Sequence, residues 1–291
     1  MNVLFKAVVM PLALPFRLRF TAGTNSQKTA VAAQRLKASG LTPMLNYLGE
    51  YFQDPLVAHE HLLEYLNLLP RLSAGDRIAV KTSQFGLDIP GCGLWHAREN
   101  LRYLLTKTKA LGIAIELDIE NAVRAEPTIQ LALWANVEFP MRTRVALAAR
   151  MLKSIEYARL LCMNRVPVRL VKGAYEDPPQ YAVNKTDDIK NRYKKLTVLL
   201  LESGTDPAFA THDLELLQFV QGEAKRLGIA QNKFEFQFLK GFCPRMQRGL
   251  AQQGFRISIY IPYGPLWLEY GIRRWKFFRR NPKDLLRALF G

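Results

Sequence analysis

Short apolar stretches rich in β-branched and aromatic residues alternate with longer stretches of helical periodicity along most of the chain. Eight of the short stretches predict strands: Thr42–Leu48, Arg77–Thr82, Ile113–Ile119, Arg144–Ala149, Val166–Val171, Ala208–Thr211, Phe234–Leu239 and Phe255–Ile261. Helices are predicted between them at Pro55–Leu69, Gly93–Leu111, Thr128–Asn136, Met151–Leu161, Thr186–Glu202, Leu214–Leu227 and Pro244–Gln253. Two more are predicted outside the strands, at Gln27–Ala38 and Pro265–Arg280.

The regular alternation of strands and helices favours a parallel sheet, because parallel neighbours need a crossover connection. Eight such units in about 240 residues fit a closed (β/α)₈ barrel. An open doubly wound sheet is the runner-up, but no Gly-x-Gly-x-x-Gly follows the first strand. We therefore predict an N-terminal helical extension over residues 1–40, a barrel over 41–281 and a basic tail over 282–291.

The chain is strongly basic, with a formal net charge of +16 over 291 residues and no acidic residue before Glu50. Such a charge attracts nucleic acid, acidic lipid or small anions. Because no zinc finger, recognition helix or RNA-binding motif is present, a nucleic-acid partner is not expected, and this alternative depends on charge alone. The basic, aromatic C-terminal helix is instead typical of a membrane surface contact.

The number and spacing of the cysteines and histidines favour a reducing compartment and argue against a metal centre. The three cysteines are widely spaced and odd in number, which favours a reducing compartment. His59 and His61 would point to different faces of a helix, so no metal site is predicted. No apolar run is long enough to span a membrane, and the N-terminus lacks a secretory cleavage site, although a transit peptide stays open. We expect a cytoplasmic protein, with peripheral contact to the inner membrane as an option.

Two adjacent arginines, Arg273 and Arg274, fall within the apolar stripe of the last predicted helix. Charge within such a stripe is unfavourable unless it is paired, and guanidinium groups pair well with carboxylates and phosphates. On the helix alone, the favoured interpretation is that both arginines flank the stripe and reach water. The polar residues at the carboxyl ends of the predicted strands, described next, instead favour the interpretation that the arginines bind an anion. The stripe comprises Leu266, Trp267, Tyr270, Arg273, Arg274 and Phe277.

Polar and ionisable residues gather at the carboxyl ends of seven predicted strands. In a parallel barrel these ends form one rim, where catalytic residues are found. Any one of them alone would be a capping group or a loop residue, but together they predict a functional rim. The ends are Leu48-Gly49-Glu50, Lys81-Thr82-Ser83, Asp118-Ile119-Glu120, Lys172-Gly173-Ala174-Tyr175, Thr211-His212-Asp213, Leu239-Lys240-Gly241 and Tyr260-Ile261-Pro262-Tyr263-Gly264.

Several of these segments resemble the signature motifs of the proline dehydrogenase family, and the length is similar to that of its monofunctional bacterial members. The most specific are RLVKGAY (Arg169–Tyr175), FATHD (Phe209–Asp213), FEFQFLKG (Phe234–Gly241) and IYIPYGPLWLEYGIRR (Ile259–Arg274). RFTAG (Arg19–Gly23), YLGE (Tyr47–Glu50), KTSQFGLDI (Lys81–Ile89) and ELDIE (Glu116–Glu120) also resemble the family and occur in the same order.

The resemblance implies a distorted (β/α)₈ barrel that holds FAD, with the last helix packed over the barrel mouth. It implies oxidation of L-proline to Δ1-pyrroline-5-carboxylate by hydride transfer to flavin N5, the first step of proline catabolism. Electrons would then pass to a membrane quinone. Such a reaction requires the protein mainly to orient the substrate, while the cofactor carries the electron chemistry.

The resemblance also assigns roles to individual residues. Arg273 and Arg274 would bind the substrate carboxylate, Lys81 would be a third cation, and Asp118 would order Lys81 or an arginine. Tyr260, Tyr270 and Leu239 would shape the pocket. Flavin contacts would come from Ile119, Ala148, Arg169, Lys172, Gly173, Ala174, Thr211 and His212.

The sequence departs from the family pattern at Ala148, where a glutamine is usual, at Arg150, where an aromatic residue is usual, and at Phe277, where a carboxylate is usual. Glu176 also stands where an aromatic or basic residue is common. These departures leave two alternatives to proline oxidation. One is a divergent enzyme that oxidises a substituted proline or another cyclic imino acid, and the other is a non-catalytic barrel that binds imino acids.

Overall fold

Eight parallel strands close into a barrel in the computed structural model, which describes residues 17–175 and 177–280, with side chains up to residue 274. Each strand pairs with its neighbour in sequence, and β8 closes the barrel against β1. The predicted (β/α)₈ barrel is confirmed and the open doubly wound sheet is wrong. The strands are β1 Thr42–Tyr47, β2 Arg77–Lys81, β3 Ala114–Asp118, β4 Thr143–Ala148, β5 Val168–Val171, β6 Ala208–Ala210, β7 Glu235–Leu239 and β8 Arg256–Tyr263.

Helices surround the barrel, and each strand is followed by one, as the sequence predicts. They are α1 Ser26–Ala38, α2 Pro55–Leu68, α3 Gly93–Leu111, α4 Ala122–Glu138, α5 Ser154–Met163, α6 Thr186–Ser203, α7 Leu214–Arg226, α8 Pro244–Gln252 and α9 Trp267–Arg280. The division into extension, barrel and tail stays a prediction, and the tail over 282–291 lies outside the described residues.

Side-chain caps fix the beginnings of several helices. Asn25 accepts a hydrogen bond from the Lys28 amide at the start of α1, and Asp54 does the same for Leu56 at the start of α2. Asn121 caps α4, which therefore begins six residues before the predicted Thr128. Asp54 and Asn121 follow the carboxyl ends of β1 and β3, so these two caps also set where those rim loops end.

Buried charges line the interior of the barrel near the amino ends of its strands. Arg144 is 1% exposed and lies 2.8 Å from Glu116, 3.4 Å from Glu235 and 2.5 Å from Asp206. Burial of an unpaired guanidinium would be strongly unfavourable, so these three carboxylates are what allow Arg144 to lie there. Glu116 also accepts from Arg169 Nη1 at 3.0 Å, which connects this interior network to the mouth.

Helix α9 packs over the barrel mouth, as expected. Trp267, Leu268 and Tyr270 are buried in a cluster with Leu48, which directly follows β1. The prediction that Arg273 lies on the buried face is wrong, because its side chain is 48% exposed at the margin of this contact. The side chain of Phe277, the last position of the predicted stripe, lies outside the described part of the chain.

Candidate active site at the barrel mouth

The predicted site residues divide into three groups around one rim. The first group joins β1, β2 and α9, the second joins β3, β5 and β8, and the third follows β3 to β7. The strand-end residues of the first and third groups lie at the carboxyl ends, where barrel enzymes place their chemistry. In the second group Asp118 ends β3, whereas Arg169 and Tyr260 lie within β5 and β8.

Glu50 is the centre of the first group. Its Oε2 lies 2.8 Å from Nζ of Lys81, and its Oε1 lies 3.1 Å from Nη1 of Arg273. The Tyr175 hydroxyl donates to Glu50 Oε2 at 3.0 Å. Burial raises the pKa of Glu50, but the two cations and the tyrosine outweigh it, so the pKa lies below its ordinary value. Glu50 is therefore a carboxylate, and it holds one arginine of α9 against the rim.

Asp118 is the centre of the second group. Its two oxygens accept from Arg169 Nη2 and, at 2.6 Å, from the Tyr260 hydroxyl. Burial lowers the pKa of Arg169, yet Asp118 and Glu116 reverse that and hold it above its ordinary value. Burial and then Asp118 raise the pKa of Tyr260. Asp118 thus orders an arginine, one of the two partners expected for it, while Lys81 pairs with Glu50 instead.

Tyr270 and Arg274 complete the α9 side of the mouth. Tyr270 is 9% exposed, and its hydroxyl accepts from Arg274 Nη2 at 3.4 Å. The Arg274 guanidinium also lies 5.3 Å from the centre of the Tyr270 ring, a distance suited to a cation–π contact. Leu239, the last residue of β7, is half-buried at the rim and lies in register with Tyr260 of β8.

The third group contains most of the predicted cofactor residues. Lys172 Nζ lies 3.5 Å from Asp213, and Thr211 Oγ1 accepts from the Asp213 amide at 3.1 Å. His212 Nε2 accepts from the Leu239 amide at 3.0 Å, so this ring nitrogen carries no proton. Of the other members, Ile119 and Ala148 are buried, Ala174 is exposed, and Gly173 has a φ of +106°.

Three further functional candidates could not be predicted individually from the sequence, although each lies at one of the polar strand ends described above. Glu50 and Tyr175 join the first group directly. Glu120 is buried and accepts from the Ser83 hydroxyl at 2.7 Å. Burial raises the pKa of Glu120 to about 7, and Lys81 and Ser83 offset only part of that effect. A carboxyl group that titrates near neutrality next to a cation is a feature of functional sites.

The barrel mouth can bind an anion next to the buried ion pairs of Arg169 with Asp118 and Glu116. Arg273, Arg274 and Lys81 bring three cations to one side of the rim, and Glu50 supplies one balancing carboxylate. Within residues 17–175 and 177–280 there is no cluster of histidine, cysteine, aspartate or glutamate that could hold a metal ion. None of the described helices is long and apolar enough to cross a bilayer.

Comparisons with known proteins agree on one family. The family model described as proline dehydrogenase matches residues 29–276. The chain is 29% identical to proline dehydrogenase 1 of Bacillus subtilis over 260 residues, which covers 88% of this chain and 84% of that one. It is also 29% identical to proline dehydrogenase of Deinococcus radiodurans over 275 residues, which covers 93% and 89%.

Solved structures share the fold at lower sequence identity. Proline utilization A from Bdellovibrio bacteriovorus, inactivated by N-propargylglycine, superimposes with a TM-score of 0.87 at 20% identity over 99% of this chain. The D778Y mutant of proline utilization A from Bradyrhizobium japonicum gives a TM-score of 0.74 at 21% identity. This chain spans only 35% and 31% of the length of those two proteins.

Proposed function

The chain belongs to the proline dehydrogenase family, and from this premise we propose that it oxidises L-proline to Δ1-pyrroline-5-carboxylate with a bound FAD. The resemblance and the enzyme class predicted from the sequence are both confirmed by the family match. The observation that carries the proposal is the position of Arg273, held by Glu50 over the carboxyl ends of the barrel strands.

Substrate recognition is assigned to the cations on the α9 side of the mouth. A guanidinium fork suits a carboxylate, and Arg273 and Arg274 are adjacent on one helix, next to the buried Tyr270. A substrate carboxylate that binds Arg273 competes with Glu50 for the same guanidinium. Lys81 stays paired with Glu50 through the other oxygen, so it balances the charge of Glu50 while Arg273 binds the substrate.

The third group fits the phosphate-bearing part of FAD. The observation that supports this is its donor set, the Lys172 ammonium and the Gly173 turn. The buried Arg169 of the second group, whose Nε has no hydrogen-bond partner among the described residues, would lie near the flavin ring. Glycine with positive φ lets backbone amides approach phosphate closely. Thr211 and His212 would contact the same molecule from the β6 end. Ile119, Ala148 and Ala174 would line the same cofactor site.

Orientation is the main task left to the protein side chains. When bound, the flavin supplies the two-electron acceptor that these side chains lack. Asp118 fixes both Arg169 and Tyr260, so one cation and one aromatic ring are held in place before substrate arrives. Helix α9 covers the mouth with Trp267 and Leu268, which would limit water at the reacting carbon. Tyr260, Tyr270 and Leu239 would then shape the space for the ring.

Electron transfer to a membrane quinone is part of the same proposal, together with a cytoplasmic location and peripheral binding at the inner membrane. Its motive is the basic, aromatic C-terminal segment. Its residues beyond 280 and its side chains beyond 274 lie outside the described chain, so the support comes from sequence. Absence of activity with a soluble quinone analogue as the electron acceptor would contradict the assignment of quinone as acceptor.

An absorbance spectrum of the purified chain tests the proposal. We expect a yellow protein with a flavin spectrum that L-proline bleaches in the absence of oxygen. A colourless protein that also fails to bind added FAD would overturn the cofactor assignment. A flavin that substituted prolines bleach but L-proline does not would favour the divergent enzyme. Binding of imino acids without any bleaching would favour the non-catalytic barrel.

Substitution of Arg273 by lysine tests the carboxylate contact, because lysine keeps the charge but loses the fork. We expect KM for L-proline to rise by about tenfold or more, with the flavin spectrum unchanged. Arg226→Lys is a matched control, since that arginine is also ion-paired and exposed, at 2.8 Å from Glu223 and 57% exposure, but lies at the end of α7. An unchanged KM for Arg273→Lys would refute the placement of the carboxylate.

A further inference from the structure

Arg150 departs from the family pattern, and it is buried at 8% exposure just beyond the end of β4. Its two terminal nitrogens reach different parts of the loop between β5 and α6. Nη1 donates to the backbone carbonyl of Tyr175, and Nη2 donates to the side-chain oxygen of Asn184. One guanidinium therefore joins the two ends of this loop.

Backbone hydrogen bonds fix Arg150 itself against the same loop. Its amide donates to the Lys172 carbonyl at 3.2 Å, and its carbonyl accepts from the Val183 amide at 2.9 Å. The next residue, Met151, forms an antiparallel bridge with Ala182. The segment that follows β4 thus lies between the beginning and the end of the loop, bonded to both.

The aliphatic part of Arg150 supports the turn at Gly173. A methyl carbon at Gly173 would lie 2.6 Å from Cδ of Arg150 and 3.2 Å from Cβ of Ala148. The Gly173 turn therefore packs directly against the Arg150 side chain, and the small side chain of Ala148 leaves room for the arginine. Burial lowers the pKa of Arg150, and Asp177 opposes part of this. A guanidinium is a strong enough base to stay charged in proteins.

We propose that Arg150 is a positioning residue which holds the loop between β5 and α6 in its flavin-binding conformation before the cofactor arrives. The proposal rests on the proposed function, because Lys172 and Gly173 of this loop are the residues assigned to the flavin phosphates. A loop that is ordered in advance binds more tightly, since less conformational entropy is lost on binding. Two charge-assisted hydrogen bonds from one buried group give that order.

The test uses the full chain with three variants and one control. Arg150→Lys keeps the charge but cannot reach both acceptors, and Arg150→Met keeps an unbranched apolar stem but removes the charge and the donors. Asn184→Ala removes one acceptor at an exposed position and leaves the buried arginine in place. Arg159→Ala is the control, because it removes an exposed arginine on the neighbouring helix α5.

Two measurements are made on each protein: amide hydrogen exchange in residues 172–184 without added FAD, and the Kd for FAD. We expect both Arg150 variants to exchange faster in this segment and to bind FAD about tenfold more weakly or worse. Asn184→Ala should show a smaller change in the same direction, and Arg159→Ala none. Faster exchange throughout the protein in the Arg150 variants would leave Asn184→Ala as the deciding variant.

Parent-like exchange and parent-like affinity in Asn184→Ala and Arg150→Lys would overturn the proposal. A failure of the proposed function looks different. The parent would then bind no FAD, yet the exchange of residues 172–184 would still show whether Arg150 orders the loop. Weaker FAD binding with unchanged exchange would also overturn it, because the arginine would then act on the cofactor and not through the loop.

Discussion

Glu50 holds two cations of different exposure, and the structure therefore predicts two unequal coupling energies from one carboxylate. The Glu50–Lys81 pair has side chains 9% and 7% exposed at a distance of 2.8 Å. The Glu50–Arg273 pair is almost as short, at 3.1 Å, but the arginine side chain is 48% exposed. From distance alone the two coupling energies would be nearly equal, but solvent screening weakens the pair that contains the exposed Arg273.

The expected magnitudes follow from burial. A charge-assisted hydrogen bond between buried groups contributes about 1.5–3 kcal/mol, whereas an exposed ion pair contributes about 0.2–1 kcal/mol. We therefore expect the coupling energy of Glu50 with Lys81 to exceed that with Arg273 by about 0.5–3 kcal/mol. Such a difference has a functional meaning, because the weaker pair can separate for a substrate carboxylate while the stronger one keeps Glu50 in place.

Two double-mutant cycles measure these energies. One combines Glu50→Gln with Lys81→Met, and the other combines Glu50→Gln with Arg273→Met. The free energy of unfolding in urea is measured for each single and double variant. Equal coupling energies, or a larger one for Arg273, would refute the reasoning from burial. A large value for Arg273 would mean that the arginine is fixed too firmly to exchange its partner for substrate.

Three further substitutions address the rest of the mouth. Gly173→Ala should abolish FAD binding because its methyl carbon would lie 2.6 Å from an arginine carbon, whereas Gly222→Ala, with open space around it, should bind FAD like the parent. The pKa of Glu120 is raised by burial to about 7, so the stability it contributes is present below its unfolded pKa of about 4.5 and lost as pH rises through 7. Unfolding of Glu120→Gln in urea should therefore lack this pH-dependent loss. Tyr260→Phe removes the 2.6 Å hydrogen bond to Asp118 and should lower kcat/KM by about tenfold in steady-state assays while FAD stays bound.

The alternation of strand and helix patterns was enough to predict the barrel, because eight apolar strands covered by helices leave few other packings. Local periodicity failed where long-range backbone contacts decide the structure. The predicted helix at Met151 begins at Ser154 instead, because Met151 pairs with Ala182 on a distant loop. No pattern within the segment itself carries that information.

Charge pairing within the site was the part that sequence could not predict. Glu50 lies at one of the polar strand ends, but nothing in its spacing indicates that it pairs with Lys81 and Arg273, which lie 31 and 223 positions further along the chain. Arg144 and Glu116 occupy strand positions that alternation would fill with apolar residues. Their burial depends on partners brought together only when the barrel closes.

Tyr175 connects the two halves of the mouth, and this explains why the loop after β5 matters to both. Its hydroxyl donates to Glu50 at 3.0 Å, and its carbonyl accepts from Arg150. A change that displaces the loop therefore removes a hydrogen bond from the carboxylate that holds Arg273. With one donor fewer, the buried Glu50 would depend more on its two cations. Arg273 would then release Glu50 less readily to bind a substrate carboxylate. Loss of order in the loop after β5 should therefore raise KM for the substrate.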